Sequence, residues 1–591
     1  MRARLIASVL TILSLAGPAF AQNDRRSLTT PELIIESGGR LGSCDAIKFT
    51  SDGKYLLTIG DDKVVRVWPY QDGKLTKEGM QVLRWPSWRE QRGAIFALAL
   101  SPDKDNERIA IGGLGIKTGN VAVLERKTGK VLHLATPVPP EGQQVNSIWS
   151  MDFAPDGKRV AFGDSHGGVW TWDFTTKPVR LGKHKSNRTY NFVRFVHFSD
   201  NNTLVSIVED GSEKEWTLGR NASDTTRPGF DVPEKASIFR VAISPDGEWY
   251  AVAVQGGGKA RVLLRRVNEK TSREIPLEKE KDQYARALAF DTKSERLAVS
   301  VASILRPDPP FYMEGPEHVD FYDLKNARDR SKPLERIDGP RGLYRAWYIA
   351  FHPNGKDVAI AAGENHEVKL YKYNLAALGE PASVMDGVGR SIWEVALSED
   401  GKQVGFRDQR NPDATDPNNR ARAKAPWRVF HLGKREWVDP AAFKPLEQKR
   451  TYEGWHVAGV KDANKPRELD PAVWYVVTPR GERLQLPTDA GQDQYPFCWT
   501  FIPPTGKRKL QLAVGHLWGV SVFELIEGQK PKRVRLCTGH QAYVTSVAVS
   551  RDGSWLVSGS MDQTLTAWSL RDWDSQRTLG ASFDLKGDTL E

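Results

Sequence analysis

Eleven histidines and three cysteines are the residues with which this 591-residue chain could hold a metal or activate a nucleophile. Their spacing argues against both. His133, His166, His184, His197, His318, His352, His366, His431, His456, His516 and His540 stand singly. No HxxxH or HExxH pair sets two imidazoles on one helical face. Cys44, Cys498 and Cys537 form no CxxC, and none lies at zinc spacing from a histidine. Three cysteines make no disulfide framework. Cys498 and Cys537 flank one segment and could pair; the bland reading is that they are small buried apolar residues. No GxSxG elbow is present. Gly256-Gly257-Gly258 lacks the Lys-Ser/Thr of a phosphate loop. Asp413, Asp416 and Asn418 begin no complete calcium loop. The expectation is no catalytic, cofactor-binding or metal-binding residue.

The elements that would position any site come from an internal repeat, which dominates the sequence. An apolar alternating strand leads into a turn such as Ser-Pro-Asp-Gly. A second strand, a polar turn and a third strand ending in an aromatic follow. Examples start at Ala46, Ser150, Val193, Tyr348 and Ser546. The turn-to-aromatic register is tight. Asp52 to Trp68, Asp156 to Trp172, Asp200 to Trp216 and Asp552 to Trp568 are each 16 positions, and Asn354 to Tyr371 is 17. Asp-Gly suits a hairpin turn with positive φ, period-two alternation suits half-buried strands, and an aromatic can fill the space between sheets. Weaker copies begin near Ala94, Ile238, Tyr284, Ile392 and Cys498, with a degenerate one between Trp455 and Leu486. That makes eleven copies, and ten steps from Asp52 to Asp552 average 50 positions.

The copy from Gly539 resembles a WD40 repeat. Gly539-His540 stands at that family's Gly-His and Trp568-Ser569 at its Trp-Asp. Asp562 lies six residues before Trp568, and Ser558 falls at the Ser/Thr position. The resemblance implies an all-β fold of tandem β-propellers with four-stranded WD40-like blades, about eleven in all. It also implies a structural network of His540, Ser558, Asp562 and Trp568 that satisfies buried polar groups. Other copies depart from the pattern. The first keeps Thr58, Asp62 and Trp68 without the histidine; the third has His166 for the aspartate and Phe162 for the serine. On this reading only the last copy carries the full set. A usual propeller has ~4–8 blades, so the division expected is a first propeller at 41–388 and a second at 389–575. Four blades are few for the second ring, which the stretch Leu33–Glu36, the tail or an unseen blade would complete.

Residues 1–21 read as a secretory signal peptide: Arg2 and Arg4, an apolar run from Leu5 to Leu15, and Ala19-Phe20-Ala21 as the cleavage pattern, with maturity at Gln22. The apolar run is short of the ~20 residues of a comfortable span. Residues 22–40 are a linker or closing strand. The expected location is periplasmic or extracellular, with no transmembrane segment after signal removal. The net charge is +10, or +8 once Arg2 and Arg4 are removed, and basic residues alternate with acids. Nucleic acid is therefore not expected as a partner, while an anionic envelope polymer or an acidic protein is compatible. Residues 576–591 form a tail in which Leu579-Gly580-Ala581-Ser582-Phe583 weakly resembles the opening of a PDZ domain, against a closing strand or plain chain end.

Strand parity adds one inference. Loops before first strands and between second and third strands emerge at one end of a ring. The long insertions 84–92, 134–146, 304–316 and 407–426 fall in those two classes. Trp85, Trp88, Arg89, Arg92, Phe311, Tyr312, Arg420 and Arg422 are thus the expected recognition surface, being of hot-spot type. The functional expectation is an exported scaffold that binds proteins through loop faces. The alternatives are a propeller enzyme (hydrolase, lyase or quinoprotein) with a channel site, or the regulatory part of a longer protein. Lys127-Thr128-Gly129-Lys130 faintly resembles a feature of quinone-dependent propeller dehydrogenases, but as a single occurrence it reads as an ordinary hairpin turn.

Overall fold

The computed structural model describes residue 40 and residues 44–581, apart from 86–92, 116–118, 142–146, 187–190, 220–221, 257–260, 276, 278–282, 307–312, 315–316, 344–345, 363–365, 374–379, 386–391, 408–425, 433, 435, 459–474, 488–497, 507 and 571–575. All of these residues lie in the compact unit Glu36–Glu591. Among them, every regular element is a strand except the 3-10 turn Pro440–Ala442. The all-β expectation of consecutive four-stranded antiparallel units is borne out.

Seven sheets follow one another from Cys44 to Met385. Their first strands are Cys44–Phe49, Ile95–Leu100, Ile148–Phe153, Val193–Phe198, Ala236–Ile243, Gln283–Phe290 and Tyr348–Phe351. Each sheet is built by consecutive hairpins, because the turns are short and supply positive φ, as at Gly53, Gly157 and Gly355. Apolar clusters lie between sheets rather than within one. The first and second sheets share Leu57, Val67 and Leu83 with Ile95, Leu98 and Ile109. The series continues from sheet to sheet. It then returns, as Cys44, Ile47 and Trp68 pack with Ala359, Val368 and Leu370 of the seventh sheet. Polar contacts close the same seam. His352 Nε2 donates to the Gly53 carbonyl at 2.8 Å, and the Tyr70 hydroxyl donates to Asp357.

The remaining sheets begin at Glu394, Thr451 and Cys498, and the last is six-stranded. Its 18-residue strand Lys532–Val549 serves two repeats, pairing with Gln511–Glu524 on one side and Trp555–Ser560 on the other. Packing does not follow chain order here. The sheet from Glu394 packs on the last repeat, with Val395 and Phe406 against Val557 and Leu565. The last repeat packs on the one from Cys498, and that one on the sheet from Thr451. Residues 576–581 pair with Thr564–Ser569 as the outer strand of the final sheet. The PDZ-like stretch therefore enters that sheet as far as Ala581, and Ser582 and Phe583 lie outside the described residues. Leu33–Glu36 lies outside them too.

Candidate functional site

The first strands of the seven-sheet series carry a common irregularity. Pairing skips Asp45, Phe96, Trp149, Arg194 and Phe239, and in the sixth sheet it skips Arg286 with Ala287. Such a bulge re-aims the extra side chain. Trp347 holds the same place in the seventh sheet, where its N–H donates to Ala361 O at 2.9 Å. Asp45, Phe96, Trp149, Arg194, Phe239 and Trp347 line a central cavity of about 700 Å³ and form a collar to it, with Arg286 packed behind Trp347. Phe96 stacks on Trp149 at 4.6 Å, and Trp149 meets Phe192 edge-on at 4.8 Å. The Arg194 guanidinium lies 4.7 Å over Phe192 and pairs with Glu209 at 3.2 Å. Arg240 lies 4.1 Å over Tyr348 and 4.6 Å over Phe239, while Arg286 lies 4.2 Å over Trp347 and pairs with Glu317 at 2.9 Å.

The collar is electrostatically uneven. Burial pushes the Asp45 carboxyl up to about 7, against the opposing pull of Arg240 and Arg40. Burial likewise lowers Arg194 and raises Tyr348. Asp45 Oδ2 and the Nε atoms of Arg194 and Arg240 are buried without a hydrogen-bond partner among the described residues. Tyr543, from the last repeat, also lines the cavity. Beside it, His366 Nε2 of the seventh sheet donates to Met561 O at 2.6 Å. His366 and Met561 both sit in turns between second and third strands, so the last repeat meets the ring at its collar end.

The four residues of the expected polar network form one buried chain. Trp568 Nε1 donates to Ser558 Oγ at 2.9 Å, Ser558 Oγ meets His540 Nε2 at 2.7 Å, and His540 Nδ1 meets Asp562 at 3.0 Å. The distances match those of a serine nucleophile with its base. Yet His540 and Ser558 have no exposed surface, so no substrate reaches the hydroxyl.

Three further copies keep the network in altered form. His184 Nε2 lies 2.8 Å from Ser206 Oγ, which also accepts from Trp216 Nε1 at 2.8 Å. The sequence showed it as Gly182-Lys183-His184, one residue longer than Gly-His, with Ser206 ten positions before Trp216 as in the last copy. The last copy is therefore not alone. In the first sheet, Arg40 occupies the histidine place. It stands 18, 22 and 28 positions before Thr58, Asp62 and Trp68, as His540 does before Ser558, Asp562 and Trp568. Arg40 is fully buried 3.8 Å from Asp62, and Trp68 Nε1 donates to Thr58 at 3.0 Å. In the third sheet Asp164 substitutes, accepting from Trp170 Nε1 at 2.8 Å.

The expected recognition residues fare differently. Trp85 is 3% exposed, joins the cluster between the first two sheets, and donates to Gly93 O at 3.0 Å. It is a packing residue and not part of a surface. Trp88, Arg89, Arg92, Phe311, Tyr312, Arg420 and Arg422 lie outside the described residues. Cys498 and Cys537 are free and buried, with thiols pushed up to about 12 and 11 by burial. They are packing residues, and no disulfide joins them. Sequence reasoning missed the collar. Its signal was a residue seven positions before the turn marker, as in Asp45 to Asp52, Trp149 to Asp156 and Trp347 to Asn354.

Comparison with known proteins agrees with the repeat reading. The model of the WD domain, G-beta repeat, matches residues 37–69 and 531–569. Apoptotic protease-activating factor 1 of Rattus norvegicus is 25% identical over 186 residues, 31% of this chain and 12% of that protein. Small ribosomal subunit protein RACK1 of Caenorhabditis elegans is 42% identical over 62 residues, 10% of this chain and 19% of that protein. Transcriptional repressor tup12 of Schizosaccharomyces pombe is 50% identical over 42 residues, 7% of each. The chain thus spans a small part of the relatives it matches.

Proposed function

We propose that the chain is an exported interaction scaffold whose seven-sheet ring, at about 41–388, binds a protein partner at the collar end of its lumen. One observation carries this reading: bulges in four first strands and the residue before a fifth gather Phe96, Trp149, Arg194, Phe239 and Trp347 from five sheets around one opening. Aromatics and arginine dominate binding hot spots, and the WD40 repeats in the first and last copies support an interaction role. The repeats from 389 to 575 form a second body that covers part of the opening with Tyr543. The export half of the proposal rests on residues 1–21.

The test is capture from the envelope fraction with wild type and with Trp149→Ala and Arg240→Ala, each checked for its thermal midpoint. Partners recovered by wild type and lost with both variants support the collar; equal recovery overturns it. N-terminal sequencing of the chain from a fractionated cell tests export, with Gln22 as the expected first residue. The alternative of a channel enzyme has one observation in its favour. His197 Nδ1 lies 3.0 Å from Asp152 in the cavity wall, which is the geometry of an oriented base.

A further inference from the structure

Three residues beyond each collar position the lumen wall changes character. The third, fourth and first sheets place Asp152, His197 and Lys48 there, while the fifth, sixth and seventh place Ala242, Ala289 and Ala350. The second sheet has the buried Ala99 at the equivalent place, so the polar side chains come from the first, third and fourth sheets, and the alanines of the fifth to seventh leave room.

The polar half is only partly satisfied. Asp152 Oδ2 accepts from His197 Nδ1 at 3.0 Å and from the Phe198 N–H at 3.0 Å. In the neutral ring, an Nδ1 proton directed at Asp152 leaves His197 Nε2 as an acceptor. Lys48 makes no hydrogen bond or ion pair with the described residues. Its one electrostatic tie is the pull of Asp152, and enclosure in the ring lowers its pKa below the usual lysine range. The Lys48 side chain is exposed to the lumen, where an anion that enters can reach its ammonium. The cavity, at about 700 Å³, has the size of a compact ligand site.

We propose that the lumen binds a carboxylate carried on an aromatic or apolar body. The carboxylate sits on Lys48 Nζ, the body fills the space beside Ala242, Ala289 and Ala350, and an adjacent hydroxyl or amide N–H donates to His197 Nε2. Asp152 next to Lys48 favours a monoanion over a phosphate dianion. A free small acid and the C-terminal residue of a peptide share this chemistry. The inference goes beyond the scaffold reading, since the site is inside the ring and does not require the collar to hold a protein.

The experiment is titration calorimetry on the full chain, with intrinsic tryptophan fluorescence as a second readout. The probes are N-acetylphenylalanine, its amide, and a hexapeptide ending in phenylalanine. A carboxylate probe is expected to bind, with the amide at least about tenfold weaker, the usual size of a lost charged hydrogen bond. Lys48→Met should cost a similar factor with its melting temperature kept, and Lys48→Arg should retain binding. Ala242→Phe should block the site by filling it. The free acid binding without the peptide assigns the site to a small molecule, and the reverse assigns it to a partner's terminus; either supports the site. No binding by either, equal binding of acid and amide, or an unchanged Lys48→Met overturns it. Partner capture with the collar variants reads the scaffold proposal separately.

Discussion

Ser558→Ala removes one hydroxyl that serves two buried groups. Trp568 Nε1 donates to it at 2.9 Å and His540 Nε2 sits 2.7 Å away. Both partners are 1% exposed or less, so water does not replace the lost contacts. A buried polar group left unsatisfied costs about 1–3 kcal/mol, so losing two gives about 2–6 kcal/mol. Ser206→Ala has the same arithmetic, because Ser206 serves Trp216 and His184 at 2.8 Å each. Thr58→Val is the internal control. There, among the described residues, one buried donor, Trp68 Nε1, loses its partner at 3.0 Å, giving about 1–3 kcal/mol. The assay is urea unfolding at pH 7 followed by tryptophan fluorescence, with midpoints and slopes compared across the three variants. A tandem protein need not unfold in one step, so each variant is compared with wild type on the transition it moves. The expected order places both serine variants clearly below Thr58→Val. A Thr58→Val cost equal to the serine variants, or a Ser558→Ala cost under about 1 kcal/mol, refutes the account of the network as shared satisfaction of buried donors.

Burial lowers His184 to about 4 from the ordinary 6.5, so the unfolded chain binds a proton that the folded one excludes. Stability is then full above pH 6.5 and falls by about 3 kcal/mol as pH drops to 4; His184→Gln should lose this component in urea midpoints taken at pH 7 and 4.5. Arg40→His should keep the first sheet folded, since histidine fits the equivalent place in the last copy, whereas Arg40→Ala leaves Asp62 with Arg66 at 3.2 Å and should lower the thermal midpoint. Cys498 and Cys537 should resist Ellman's reagent in the folded chain and react fully in guanidinium, because burial keeps their thiols protonated. Trp85→Ala should destabilise by about 3–5 kcal/mol as a core truncation, measured by the same unfolding curves.

What the sequence revealed and what it hid follow from the physics. Register was legible because each hairpin is local: Asp52 and Trp68 must be 16 apart for the turn and the third strand to fit. The collar was hidden because a bulge adds a residue to the strand and breaks the alternation by which strands are read, so Trp149 and Arg194 looked like members of ordinary apolar strands. Trp85 was misjudged for the opposite reason. Its neighbours are polar and loop-like, but its indole turns back onto Leu83 and Ile95 in the sheet interface. Arg40 escaped because the search was for an imidazole, while the position needs only a donor that reaches Asp62. The order of the later repeats, with the sheet from Glu394 beside the last one, depends on contacts between distant segments and leaves no periodic trace.

The seam that closes the seven-sheet ring has a consequence for the chain during its synthesis. Tyr70 and Asp357, which meet across it, are 287 residues apart. At ribosomal rates of about 5–20 residues per second, the flank of the first sheet that carries Cys44, Ile47 and Trp68 waits roughly 15–60 s for its mate. Throughout that interval it presents an apolar face and unpaired edges to every other nascent chain nearby. A chaperone that covers this apolar flank until the seventh sheet is made would keep the chain from its neighbours over that interval.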